Sequence, residues 1–192
     1  MTGIIKVDTI QNNGGTTGLT IDSSGGILMP NTDNKIATAS LSGTSTLVSV
    51  DPSNFNHLLL HIYGSNSASN YELSLRFNSD SGTNYKYVRS VEDANGSPSV
   101  DGGQTTSLYL NQTGASGHAS GTTNNYHIVK VFFPNNTSVW KGIEATNIYD
   151  TGSQDVVMFL SAFWRNTAAV SSVQVIGSQS LTAGTIDVYG CK

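Results

Sequence analysis

Short apolar runs alternating at a period of two, cut apart by Gly, Asn and Ser, set the limits on what this chain can fold into. The clearest is Tyr71-Glu72-Leu73-Ser74-Leu75-Arg76-Phe77-Asn78, apolar at every odd position and polar at every even one. Successive side chains of a strand point to opposite faces, so this run reads as a half-buried β-strand. No window of twelve residues combines helical spacing with good helix formers.

The pattern recurs along the chain. The run 57–63 puts Leu58, Leu60 and Ile62 on one face. The run 126–133 is apolar on both faces apart from His127 and Lys130, as a central strand would be. Runs at 139–148, 156–164, 170–176 and 185–189, with shorter ones at 85–91 and 107–110, bring the set to about nine strands. Phe159, Leu160 and Phe163 read as core. Turn clusters such as Ser79-Asp80-Ser81-Gly82, Asn95-Gly96 and Asn135-Asn136 separate the runs. The economical fold is all-β: an antiparallel β-sandwich of jelly-roll type preceded by a short extended N-terminal β-arm. A closed barrel is the alternative, because strand order is not readable from one sequence.

Charge narrows the function classes. Only 11% of residues are charged, against about 25% in an average soluble domain. Nine Lys and Arg and a formal net charge of −4 exclude a protein that grips nucleic acid by its phosphates. Eight Tyr, six Phe and two Trp argue against disorder. No apolar run is long enough for a membrane-spanning helix, so no membrane partner is expected. Residues 1–8 have neither the basic segment nor the apolar core of a secretion signal, so the chain is expected to be made without one. Cys191 stands alone and forms no internal disulfide.

The first 43 residues differ from the rest. They hold Ile4, Ile5, Val7, Ile10, Leu19, Ile21 and Ile27, too few to bury a core by themselves. Leaving such side chains wet costs about 1.5–3 kcal/mol each. The division expected is therefore an assembly or attachment arm over residues 1–43, sheltered by neighbouring chains, and a sandwich over 44–192.

Catalytic patterns are poorly represented, and no catalytic residue, metal site or cofactor is expected. His57 and His61 lie about 13 Å apart on one strand face, too far to share a zinc ion. Asp80 to Asn84 resembles part of a calcium loop but lacks its closing Glu, and Asx-turn chemistry explains it as well. The acidic residues suggest no facing pair of the kind glycoside hydrolysis needs. Tyr63, Tyr85, Tyr87, Tyr109 and Trp140, flanked by Asn, Ser and Gly, form a candidate ligand face; a sandwich uses the same residues to roof its core.

The opening Gly3-Ile4-Ile5-Lys6-Val7-Asp8-Thr9-Ile10-Gln11-Asn12, continued by residues 18–25, resembles the N-terminal attachment segment of structural proteins of tailed phages, especially marine and cyanobacterial ones. Leu75-Arg76-Phe77-Asn78, Asn136-Thr137-Ser138-Val139-Trp140-Lys141 and the run 183–190 look like the β-sandwich module that often follows it. The resemblance implies a non-enzymatic virion structural protein: a short tail fibre, spike, capsid decoration or head appendage. It would dock through its arm, assemble in the host cytoplasm and sit on the particle exterior. A homo-oligomer, a trimer by analogy, and contacts with other virion proteins would follow. The alternative is an adhesion module binding host-surface polysaccharide or a receptor.

Overall fold

The computed structural model describes residues 9–11, 17–21, 27–28, 34–67, 70–94, 99–111 and 125–192, and every regular element among them is a β-strand. Three strands form a small sheet of their own: β1 (Thr9–Gln11), β2 (Thr17–Ile21) and β3 (Ile27–Leu28), in that order. Ile10 pairs with Leu19 and Ile21 with Ile27. The expected extended arm is thus an antiparallel sheet over its described part.

The other eleven strands form one continuous sheet. They are β4 (Asn34–Ser40), β5 (Gly43–Ser49), β6 (His57–Ser67), β7 (Leu73–Phe77), β8 (Tyr85–Asp93) and β9 (Ser99–Thr105). After them come β10 (Leu108–Tyr109), β11 (Asn125–Phe132), β12 (Lys141–Asp150), β13 (Asp155–Trp164) and β14 (Ser172–Cys191). The hydrogen-bonded path runs β10-β7-β14-β6-β11-β12-β13-β8-β9, with β4 and β5 also paired to β14.

This sheet corrects the expected jelly-roll sandwich. Its two path ends, β9 and β10, are separated in the chain by only Thr106 and Ser107. The Nε of Arg76 in β7 donates to Thr106 O at 3.0 Å, and the backbone N of Phe77 donates to the hydroxyl of Tyr85 in β8 at 2.9 Å. The result is a single, nearly closed nine-strand barrel in place of two separate sheets.

The reason lies in β14. Runs 170–176 and 185–189 read as two strands in the sequence, but they belong to one strand of 20 residues. Its first half lies between β5 and β7, its second half between β4 and β6. Register shifts between Ile176 and Thr185 turn the corner without breaking the hydrogen-bonded path. Gly184 sits there at φ +120°, and a Cβ on it would lie 2.7 Å from Ser65 Cα. β4 falls in the segment assigned to the arm, yet it pairs with β14 in the barrel.

The interior follows the period-two pattern. Leu58, Leu60 and Ile62 of β6, Leu73, Leu75 and Phe77 of β7, and Val129 and Val131 of β11 are fully buried. Trp164 and Phe77 pack at 5.6 Å between ring centroids, and Trp164 stacks on Tyr85 at 6.5 Å. Polar groups inside are paired, as burial requires, with Arg89 Nη1 the exception among the described side chains. Asn125 bonds the backbone and hydroxyl of Ser65, and Ser65 bonds the hydroxyl of Tyr71. Asn111 bonds the backbone of both Tyr71 and Leu73.

Candidate functional site

The outer face of β8, β13, β12, β11 and β6 is where the chain departs from an ordinary wet surface. In β13 the even-numbered residues Val156 to Trp164 line the core, so Phe159, Ser161 and Phe163 point outward. Phe159 and Phe163 are 49% and 52% exposed. Register places Val88 beside Ser161, Ser161 beside Glu144, Glu144 beside Lys130, and Lys130 beside Leu59. One step along the strands, Ser90, Phe159, Thr146, Ile128 and His61 form the adjacent row. Val88 and Ile148 on this face are also about half exposed.

At one end of the face the aromatics gather into a groove of about 520 Å³ lined by Phe132, Trp140, Phe163, Lys86 and Glu144. Trp140 and Phe163 meet edge to face at 6.5 Å, and the Arg165 guanidinium lies 5.1 Å from the centre of the Trp140 ring. Phe132 packs on Gly142, where a Cβ would stand 3.5 Å from the ring, and the Lys130 ammonium lies 4.9 Å from the ring centre. A second, shallower groove shares Glu144 and Ser161 with the first and reaches Phe159, Ile128 and Leu59. The two make one continuous surface.

Lys141 holds the groove's rim. Its ammonium is buried and donates to the carbonyls of Asn136 (2.5 Å), Val139 (3.0 Å) and Thr167 (3.1 Å). Burial pushes its pKa down. These bonds tie the loop before β12 to the loop after β13, and Trp140 and Arg165 extend from those two loops.

Beyond β6 the face becomes polar. Asp187 on β14 accepts from Thr38 (2.6 Å), Lys35 (2.7 Å) and the Tyr63 hydroxyl (3.2 Å). Burial alone would raise its pKa, but these donors outweigh burial and the net shift is downward. His61, opposite Asp187, bonds the Tyr126 hydroxyl and packs against Tyr189.

Of the expected ligand-face residues, the structure brings Tyr87 and Trp140 to the lining of one groove and scatters the others. Tyr85 is wholly buried, and Tyr87 packs against the core beside it. Tyr109 lies on β10, at the opposite end of the sheet path from β9. Tyr63 and Trp140 share the outer face, but Trp140 lies eight residues along the strand direction from Ile148, which sits level with Tyr126 and Tyr63. That is a separation of about 26 Å. Of the arm residues, Ile10, Leu19, Ile21 and Ile27 fall in β1 to β3; Ile4, Ile5 and Val7 lie outside the described residues.

Phe159 and Phe163 read as core in the sequence but stand on the outside of the barrel. Ser161 is the signal that could find them. A polar residue in phase with Phe159 and Phe163, while Leu160, Ala162 and Trp164 hold the other phase, marks theirs as the outer face.

Among the described residues no three His, Cys, Asp or Glu side chains cluster to hold a metal. The calcium-like loop is filled by protein donors: Asp80 accepts from Gly82 N, Asn84 Nδ2 and Trp164 Nε1. Glu144 is the one carboxylate among the groove's described lining residues.

No family model matches the chain, and no curated protein matches it. Among solved structures it is similar to Xyloglucan PUL GH43B of Bacteroides ovatus, with 12% identity and a TM-score of 0.35. That likeness covers 81% of this chain and 32% of the other, so the chain spans about a third of its length. A likeness at this level carries no argument about activity. The virion appendage read from the resemblance was to display a sandwich head, and the barrel replaces that head. The reading as a phage fibre, spike or decoration that displays a sandwich head is corrected accordingly.

Proposed function

We propose that this is a non-catalytic, self-associating β-barrel protein whose outer β8-β13-β12-β11-β6 face is covered by a second copy of the same chain. The observation that carries the reading is the outward phase of β13, where Phe159 and Phe163 stand half exposed beside Val88, Ile148 and Trp140. Contiguous exposed apolar patches of this kind mark interaction sites.

Covering each half-exposed aromatic is worth about 1 kcal/mol. The face offers binding and little chemistry: its grooves are lined by one carboxylate, Glu144, with Lys86, Lys130 and aromatic rings, and hold no nucleophile paired with a base among their described residues.

Light scattering tests the proposal. The chain should have a solution mass that is a multiple of 20.2 kDa, and Phe159→Asp with Phe163→Asp should reduce it to one copy while leaving a cooperative thermal transition. A mass of one copy for the unaltered chain at high micromolar concentration overturns it.

A further inference from the structure

The aromatic groove at the end of the outer face is built around a missing side chain. Lys86 on β8, Phe163 on β13 and Gly142 on β12 stand side by side in register. Phe132 of β11 ends the row, its ring 3.5 Å from where a Cβ on Gly142 would stand. Two residues before Gly142 stands Trp140, which Phe163 meets edge to face at 6.5 Å. Two residues after it stands Glu144, exposed on the same side of the strand. The gap at Gly142 therefore has a ring on three sides and a carboxylate on the fourth.

Each ring has a cation beside it. Lys86 is the cross-strand neighbour of Phe163, the Lys130 ammonium lies 4.9 Å from the centre of the Phe132 ring, and the Arg165 guanidinium lies 5.1 Å from that of Trp140. Positive charge is thus concentrated here in a chain whose formal net charge is −4. Among the described residues none of Lys86, Lys130 and Glu144 forms an ion pair. An apolar occupant would cover the rings but strip these charges of water, at several kcal/mol per ion. A wholly polar occupant would leave the rings wet. A pyranose meets both demands within one unit. Its C–H face lies on an aromatic ring, while the hydroxyls at its edge exchange hydrogen bonds with ammonium, carboxylate and the Ser161 hydroxyl. The excess of cations over Glu144 selects a sugar that carries a carboxylate. The groove's volume of about 520 Å³ falls within the range of sites for small organic ligands, roughly 300–1,000 Å³.

We propose that this groove binds an acidic oligosaccharide, with one pyranose seated over Gly142 among Trp140, Phe163 and Phe132 and its carboxylate held by Lys86. The proposal goes beyond the self-association argued above. Trp140 and Phe163 serve in both, so the saccharide and a second copy compete for them. Phe159 lines the neighbouring groove and not this one, so the two roles can be separated by substitution.

Titration calorimetry tests it, with hexasaccharides of galacturonate, alginate and hyaluronan as probes. Cellohexaose is the neutral control and poly-glutamate the acidic peptide control. At least one acidic hexasaccharide should bind in the low-millimolar range or tighter, and at least about tenfold more tightly than cellohexaose. It should also change the tryptophan fluorescence, since Trp140 is half exposed while Trp164 is wholly buried. Gly142→Val fills the gap without altering a ring or a charge. That variant and Trp140→Ala should each bind at least about tenfold more weakly, with the thermal transition kept. Lys86→Gln should bring the acidic sugar down toward the neutral one. Phe159→Asp should bind at least as tightly as the unaltered chain. If the unaltered chain is a single copy in solution, the self-association falls and these expectations stand unchanged. The groove assignment is overturned, and the self-association left standing, by any of three results: no binding of any acidic hexasaccharide, cellohexaose or poly-glutamate binding as tightly as they do, or unaltered binding by Gly142→Val and Trp140→Ala.

Discussion

The indole Nε1 of Trp164 donates to Asp80 Oδ2 at 2.7 Å, joining the last residue of β13 to the turn that follows β7. Asp80 also accepts from Asn84 and Gly82, and Trp164 is wholly buried against Phe77 and Tyr85. The contact braces the barrel between strands far apart on its sheet path. Burial raises the Asp80 pKa, the bonds from Trp164, Asn84 and Gly82 lower it more, and the net shift is downward. Its contribution is therefore present above the ordinary carboxylate range and lost as pH falls through the lowered value. Asp80→Ala should cost about 2–4 kcal/mol in urea unfolding at neutral pH, and a loss under about 0.5 kcal/mol would show that the brace is idle.

His127 gives a second pH dependence in a separate window. It is fully buried, and burial pushes its pKa down to about 4 against the bonds to Asn147 and the Leu110 backbone, which pull the other way. An unfolded histidine titrates near 6.5. Between those values the unfolded chain binds more protons, so stability should fall as pH falls from about 6.5 to about 4, by on the order of 3 kcal/mol. His127→Gln should flatten the slope of unfolding free energy against pH in that window. A slope identical in variant and parent would assign the acid sensitivity to the carboxylates.

What the sequence discloses follows the contrast between faces. β7 is readable because Tyr71, Leu73, Leu75 and Phe77 alternate with polar residues, and all four are buried. β11 is readable as central because it is apolar on both sides, and it lies between β6 and β12. β4 and β5 look like polar linker because Asn34–Ser40 and Gly43–Ser49 pair through backbone at the margin of the barrel and bury little. The barrel itself is not legible, since it depends on β14 staying hydrogen-bonded through Gly177–Gly184, where the composition reads as a turn. The candidate site is half visible: Trp140 stands out among polar neighbours, whereas hydrophobicity alone puts Phe159 and Phe163 in the core.

Lys141 makes a strong prediction about loop order. Its ammonium donates to three backbone carbonyls. Lys141→Met keeps the length and removes all three donors, leaving those carbonyls unpaired. The variant should lose about 2–4 kcal/mol. Near-ultraviolet circular dichroism should also change, since Trp140 is the adjoining residue; an unaltered spectrum with unaltered stability would mean that the carbonyls find other donors.

At the corner of β14, Gly184 is held at φ +120°, and an added Cβ would meet Ser65 backbone at 2.7 Å and the Leu41 side chain at 2.9 Å. Backbone cannot move aside as a flexible side chain can, and the dihedral itself disfavours any L side chain. Gly184→Ala should therefore cost more than about 2 kcal/mol. Gly43→Ala is the control: it shares a positive φ but has nothing within 4 Å of the added carbon, so it should cost only the backbone strain of about 1 kcal/mol. Equal losses at both positions would count against the close approach as the cause.

Truncation from the N-terminus separates the arm from the barrel. The described ladders of β1, β2 and β3 are all with one another, whereas β4 hydrogen-bonds to β14 from Asn34 to Ser40. β4 also brings Lys35 and Thr38 to Asp187, whose side chain is only 8% exposed. Deleting residues 1–33 should leave the barrel's thermal transition within about 3 °C of the parent. Deleting residues 1–43 removes β4, strips two of the three donors from Asp187 and uncovers the edge of β14. That deletion should lower the midpoint by at least about 5 °C, the shift expected for a loss of 1–2 kcal/mol in a domain of this size. Calorimetry on the two truncations distinguishes the boundaries, and equal midpoints would return the margin of the barrel to residue 44.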